Sequence, residues 1–424
     1  MNATDRRLGE RVMRRLDELA LDTDEPGRIT RLFLSPAHAR AMDRVQRWME
    51  EAGLNAHRDP IGNVVGRLAC TNEAAMTFIL GSHIDSVRDA GRYDGCFGVL
   101  AAIEVVEDIR RGGARLPFAI EVVAFGDEEG VRFPTTLSGS RALAGTFSRA
   151  SLSARDPKGV SLGEALRSFG CDTGAIASVA RSPHDVCGYL EAHIEQGPVL
   201  EVENLALGVV TAISGCSRLK VVVSGEAGHA GTVPMSRRKD AMAGAAEMIL
   251  AVERQARGSA DVVATVGVID ALPGAINVIP AQAHFSIDLR APTDASRHRA
   301  VAAIEGELHS IASERQLGLA VTPNYDAAAI DCDAKLVAAL SQALERQGHR
   351  PFALPSGAGH DAMAMASLCP VVMLFVRCKG GISHNPAEAI TVEDAGAVIR
   401  VIRDFLLHYE VPSSKAIAHR MAAR

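Results

Sequence analysis

The chain has no surplus of basic residues: 45 Lys and Arg stand against 51 Asp and Glu, for a formal net charge of −6. Nucleic acid and anionic membrane both call for a basic patch, so neither is expected as a partner. Also missing is any run of about 18 apolar residues, the length a membrane-spanning helix requires. The opening segment MNATDRRLGERVMRRLDELAL is charged throughout. It has neither an apolar stretch nor a small-residue cleavage site, which argues against a secretory signal. None of the eight cysteines forms a C-x-x-C pair, which disfavours a zinc knuckle or a thioredoxin-like site. H-E-x-x-H is absent too, so a thermolysin-like zinc site is not indicated. No internal repeat or low-complexity tract is visible. These absences leave a cytoplasmic enzyme with reduced thiols as the expectation, in which local basic residues could still meet an anionic small substrate.

Hydrophobic residues make up 47% and charged residues 23%, the ordinary range for a globular protein, and 424 residues exceed what one core needs. Two domains are expected. Apolar spacing predicts helices over 6–20 and 36–52, the second closed by Gly53, then strands over 63–68 and 76–82. The latter runs directly into His83. A helix over 96–111 and a strand over 118–126 follow, the strand leading into Asp127-Glu128-Glu129. Strands alternating with helices point to an α/β sheet, whose ligands gather at the carboxyl ends of strands. Both acidic motifs sit there.

The texture changes near residue 214, with strand 218–225, helix 240–256, strands 262–269 and 283–291, helix 295–315 and strand 317–325. That order fits a ferredoxin-like layer of helices on an antiparallel sheet. Beyond 331 the α/β pattern returns, with a strand over 371–376 and a helix over 392–408. The expected organisation is therefore a discontinuous first domain, 1–213 and 331–424, around an inserted domain, 214–330. The tail beyond 412 is expected to fray.

Within this frame, His83-Ile84-Asp85 and Asp94 of GRYDG bring an imidazole and two carboxylates into one short stretch. Alternation along a strand puts His83 and Asp85 on one face, as suits a ligand and the carboxylate that orients it. The glycines flanking Asp94 are expected to let backbone and carboxylate approach an ion closely. A bare Asp-Glu-Glu is more often a solvated acidic turn, yet here it ends a buried strand. Crowded carboxylates repel unless a cation or a proton intervenes, an arrangement that suits a metal ligand beside a general base. His193 in EAHIEQGP and His384 in GISHNP add two imidazoles, each weak alone. Three histidines with carboxylates suit Zn, Mn, Ni or Co better than Mg or Ca.

The motifs GSHIDSVRDAGRYDG, FGDEEGVRFPTTLSGSRALAG, EAHIEQGPVLE, GEAGHAGTVPM, GAINVIP, SIDLRAP, SGAGHDAM and GISHNPAE, in that order, resemble the hydantoinase/carbamoylase branch of the M20 metallopeptidase-like amidohydrolases. The resemblance spans about residues 5 to 410. It implies a mixed-sheet di-metal catalytic domain with an inserted dimerisation, or lid, domain. Two divalent ions would be held by His83, Asp94, Glu129, His193 and His384, with Asp94 bridging. Asp85 would orient His83, and Glu128 would be the general base that takes a proton from the attacking water. His229, supplied by the partner subunit of a homodimer, would stabilise the oxyanion. Gln196, Asn277 and Arg290 would hold the substrate, with Gly359 lending a backbone contact. Taken alone, Arg290 could equally form a surface salt bridge, His229 a structural turn and Asn277 a turn cap.

The implied reaction is hydrolysis of the N-carbamoyl (ureido) group of a small acid, releasing ammonia and carbon dioxide. Arg218 in GCSRLKV resembles allantoate amidohydrolases, where many carbamoylases carry a bulky apolar residue. Allantoate is thus favoured over an N-carbamoyl-L-amino acid or a β-ureido acid. Phe375-Val376-Arg377-Cys378 departs from the FVPS common in the family. A peptidase of the same superfamily is a remote alternative, since it would usually carry an acid in place of His193. An inactive binding protein is another, disfavoured because Glu128 and all five ligands are intact.

Overall fold

The computed structural model describes residues 3–412, apart from 71, 73 and 74. The tail expected to fray lies outside the described residues. Two compact units emerge. The first comprises the chain up to Thr211, then Cys332–Leu354, then the chain from Gly359 onward; the second comprises Ala212–Asp331 and Pro355–Ala358. Among the described residues, no helix is long and apolar enough to cross a membrane.

The first unit is built on a mixed sheet. Its strands run in the order Asn55–Arg58, Val64–Leu68, Ala119–Phe125, Thr77–His83, Val186–Ile194, Val371–Val376 and Leu207–Ile213. Thr77–His83 is parallel to both neighbours, and Val371–Val376 is parallel to Val186–Ile194. The three strands Thr77–His83, Ala119–Phe125 and Val186–Ile194 are buried along their whole length. Such burial explains why they read as continuous runs rather than alternations. Helices Ala3–Ala20, Pro36–Glu51, Cys96–Arg111, Ala334–Arg346 and Val392–His408 share one core with a face of this sheet, through Val12, Val45, Leu100, Leu340 and Ile399 against Phe78, Val122 and Val372. The helix starts follow from their caps. Ser35 accepts from the amide of His38 ahead of Pro36, and Thr391 accepts from that of Asp394.

The second unit is a five-stranded antiparallel sheet. Gln282–Ala291 and Gly215–Ser224 form its centre, Gly318–Ala327 lies beyond Gly215–Ser224, and Val263–Thr265 and Ile269–Leu272 both pair with Gln282–Ala291. Helices Ala241–Arg257 and Asp294–Glu314 bury Met248 and Leu308 against Val221, Phe285, Ile287 and Leu289. Every second residue of Gln282–Ala291 is buried, which is why this strand was legible by its period of two. The single strand expected over 262–269 is in fact two. Thr265 pairs with Asp288 and Ile269 with Phe285, so four steps face three, and the extra residue falls in a stretch containing Gly267.

Phe78 is fully buried, with its ring against those of Phe118, Phe405 and Tyr409. Phe78→Ala is expected to destabilise the first unit by about 3–5 kcal/mol. A urea titration followed by the fluorescence of Trp48, the one tryptophan and itself in this unit, measures the loss.

Candidate metal centre

The parallel strands bring their carboxyl ends to one edge. His83 is the last residue of its strand and pairs with Phe125, so the turn after Phe125 places Asp127, Glu128 and Glu129 beside it. His193 stands near the end of Val186–Ile194, opposite Phe375. Asp94 stands just before Gly95, the N-cap of the helix that starts at Cys96, and His384 follows the turn Lys379–Gly381.

Asp94 is the hub. Its Oδ1 lies 3.6 Å from His83 Nε2 and 3.1 Å from His193 Nε2. Its Oδ2 lies 3.2 Å from His384 Nε2, which is 3.5 Å from Glu129 Oε2. Two sets of donor atoms result, His83–Asp94–His193 and Asp94–Glu129–His384, each close enough to surround one ion. The tautomers fit this use. His83 Nδ1 is 3.0 Å from the carbonyl of Asp85, and His193 Nδ1 is 2.9 Å from that of Ile194. A carbonyl can only accept, so the proton sits on Nδ1 and the Nε2 lone pair faces a carboxylate oxygen. Lone pair against lone pair is repulsive unless a cation, or a proton, stands between them.

The third such set among the described residues, Glu191–His193–His360, fits an ion less well. Both oxygens of Glu191 are engaged, one by the Ser82 hydroxyl at 3.0 Å, the other by Tyr189 at 3.1 Å and the Ala362 amide at 2.9 Å. Glu191, His360 and Asp361 are nonetheless buried residues of the centre that sequence reasoning missed. The motif SGAGHDAM held the signal for two of them, but only Gly359 was singled out from it. A Cβ at Gly359 would lie 3.8 Å from Glu128 Oε1, so this glycine borders Glu128.

Other expected residues take sharper roles. The Asp85 carboxylate is 3.8 Å from His83 Nδ1, farther than Asp85's own carbonyl. It accepts instead from the amides of Glu128 and Glu129, both at 3.2 Å, because the strand stops at His83 and alternation no longer applies. Asp85 thus fixes the acidic turn. Asp127 is fully buried at a left-handed φ of 66° and accepts from the hydroxyls of Thr135 and Ser138, so the turn is not a solvated one. Gly95 makes room for a side chain rather than an ion, since a Cβ there would lie 2.4 Å from the His83 ring. Gln196 Nε2 donates to Asp94 Oδ2 at 2.9 Å and reaches Ser383 Oγ at 3.0 Å, while its Oε1 is buried without a partner. Arg377 pairs with Asp394 at 2.9 Å, so the departure from FVPS is taken up by an ion pair to the last helix.

On the second unit, His229 is exposed, and its Nδ1 accepts from the amide of Gly231 at 3.0 Å. Its neutral ring therefore carries the proton on Nε2. Asn277 is next to it, its carbonyl accepting from the amide of Ala230. Arg218 and Arg290 share Asp288, each at 2.9 Å, and Arg290 also donates to the carbonyl of Gly357 at 2.8 Å. Two cations on one carboxylate leave a net positive charge.

Burial pushes Glu128 well above the usual carboxylate range, and the charges of Glu129, Asp361 and Asp85 add to the effect over the opposing His83. Burial, then Asp94, raises Glu129 to about 7. Its hydrogen bond to Asp94 raises His384 to about 9. The folded protein therefore holds protons that the unfolded chain releases, from the ordinary 4.5 up to about 7 on Glu129 and from 6.5 up to about 9 on His384. That stability is present at low pH and lost as pH rises through these ranges. Chelator-treated protein should melt at progressively lower temperature between pH 5 and 9, and added Zn²⁺ should flatten the slope; a flat profile in chelator would contradict the assignment.

Residues 79–408 match Peptidase family M20/M25/M40. The chain is 42% identical over 395 residues to an N-carbamoyl-L-amino acid amidohydrolase of Geobacillus stearothermophilus, covering 93% of this chain and 97% of that protein. It is 41% identical over 431 residues to allantoate deiminase of Arabidopsis thaliana, covering 94% and 82%. A solved amidase of the hydantoinase/carbamoylase family from Burkholderia multivorans superposes with a TM-score of 0.87 at 35% identity, over 94% of this chain and 97% of that one. The mixed α/β fold, the clustered histidines and acids, and these likenesses agree: the chain belongs to peptidase family M20/M25/M40.

Proposed function

We propose that this protein is a metal-dependent amidohydrolase that hydrolyses the N-carbamoyl (ureido) group of a small acid, with allantoate the favoured substrate. The observation that carries the reading is Asp94, one carboxylate whose two oxygens face two separate sets of imidazole and carboxylate donors. His83, Asp94 and His193 would hold one divalent ion, and Asp94, Glu129 and His384 a second, with Zn, Mn, Ni or Co suited to the nitrogen-rich donor set. Ions held there supply Lewis acidity to the substrate carbonyl and make water more acidic. Glu128 lies 3.9 Å from His83 Nε2 in the same buried pocket, where its carboxylate would take a proton from the attacking water and return it to the leaving nitrogen. Gln196 and Gly359 border this pocket as substrate contacts. Hydrolysis of the N-carbamoyl group takes up one water, releases ammonia and carbon dioxide, and leaves the other ureido nitrogen on the acid as an amine.

The second unit serves as an inserted dimerisation and lid domain in this reading, with boundaries near 214 and 330. Exposed Val268, Ile269, Leu272 and Ile276 support a homodimer built on it. His229, with its proton on the outward Nε2, would donate to the developing oxyanion in the partner's site, and Asn277 and Arg290 would grip the substrate. Arg218 is half exposed beside Arg290, and the pair's surplus charge favours a polar acid such as allantoate. An N-carbamoyl-L-amino acid is the second reading, favoured by the similarity to the Geobacillus protein. Cytoplasmic residence, supported by cysteines that stand as thiols rather than in disulfides, belongs to the same reading.

Protein reconstituted with Mn²⁺ or Zn²⁺ should release ammonia from allantoate faster than from N-carbamoyl amino acids, and should leave dipeptides intact. No ammonia from any ureido substrate would overturn the reading. Glu128→Gln is expected to lower kcat by about 10²–10⁴-fold. Mixing His229→Ala with Glu128→Gln subunits should restore part of the activity. Demonstrated mixed dimers with no activity would show that each subunit supplies its own histidine.

A further inference from the structure

Glu388 is 5% exposed and sits at the edge of the candidate centre, yet nothing so far gives it a task. Its Oε2 accepts from the amides of Tyr93 at 3.2 Å and Asp94 at 3.3 Å. Its Oε1 accepts from the amide of His384 at 3.0 Å and lies 3.3 Å from the Ser383 hydroxyl. One oxygen thus serves the loop of Asp94, and the other serves the loop of His384, which lies some 290 residues along the chain. With both oxygens engaged by these donors, the carboxylate is a poor candidate for an ion ligand.

Two further features are shaped around it. A Cβ on Gly91 would lie 2.0 Å from Glu388 Oε2, so the first glycine of GRYDG leaves space for this carboxylate and not for an ion. His384 has a left-handed φ of 54°, a backbone that a non-glycine residue keeps only where its surroundings impose it, and its amide is the one Glu388 holds. Ser383 closes the ring, its Oγ 2.9 Å from Asp94 Oδ2.

We propose that Glu388 is a positioning residue: by bonding one loop with each carboxylate oxygen it fixes Asp94 and His384 against each other, and so sets how tightly the Asp94–Glu129–His384 group closes on an ion. The inference rests on the reading of Asp94 and His384 as ligands. A side chain that orients ligands without touching the ion is expected to change metal affinity by about 10–100-fold when removed. A carboxylate is suited to the task because it offers two acceptor oxygens and no donor, and four N–H and O–H groups converge on it.

The test uses full-length protein with E388A, E388Q and G91A, where the G91A methyl displaces the carboxylate without removing it. In chelator-treated protein, amide hydrogen exchange at Tyr93, Asp94 and His384 should accelerate together in E388A and G91A. Exchange in the strand Thr77–His83 should stay slow, which separates the effect from global unfolding. Zn²⁺ affinity, measured by competition with a chromogenic chelator, should fall about 10–100-fold. E388Q, which keeps one acceptor oxygen, should fall between wild type and E388A. Acceleration in one loop only, or in neither, would overturn the proposal, as would an unchanged Zn²⁺ affinity in E388A. A wild type that binds no Zn²⁺ would instead sink the ligand reading, and exchange alone would then decide whether Glu388 ties the loops.

Discussion

Asp94 offers one oxygen to His83 and His193 and the other to His384, and the rest of the centre is arranged so that those imidazoles can face it. The constraint reaches back into the fold. His83 and His193 arrive on adjacent parallel strands, so their spacing is set by a hydrogen-bonded ladder rather than by loop conformation. The acidic turn comes off the next strand over and is clamped by Asp85 through the amides of Glu128 and Glu129. Burial first, and repulsion between the gathered carboxylates second, raise the pKa values of Glu128 and Glu129. Buried strands, two buried carboxylates and a left-handed turn at Asp127 all serve to hold an arrangement that would otherwise fly apart.

How much of this could be read from residues alone depended on the kind of burial. His83 was legible because MTFILGS carries no charged residue and ends directly on it. The strand Val186–Ile194 was not recognised as a strand, although it carries His193. Tyr189, Glu191 and His193 break its apolar run, and burial on both faces removes any alternation. Gln282–Ala291 showed its period of two because only one of its faces is covered by helices. The residues that fix the centre from behind were harder still. Glu388 and Asp85 act on backbone amides, and an amide acceptor leaves no signature of residue type at the position it serves. The glycines of GRYDG were read as letting a carboxylate approach an ion, whereas the neighbours that need the space, the His83 ring and Glu388, were visible only in three dimensions.

The second unit follows a different logic. Its helices cover one face of the sheet, and the charged cluster of Arg218, Asp288 and Arg290 lies on other positions of the same strands. Asp288 holds two guanidinium groups that would otherwise repel, keeping them pre-arranged at the expense of half their charge. A carboxylate ligand held there, as proposed, would have to compete with Asp288 for Arg290.

The two donor sets around Asp94 differ in how they are walled. His83 and His193 are sealed within the sheet, at 2% and 1% exposure, while His384 stands half exposed on a loop. The imidazoles of the first set are thus screened from solvent by buried strands, whereas the second set keeps one imidazole at the surface. Were an ion held in each set, as proposed, the one beside His384 would be the more open to exchange with the medium.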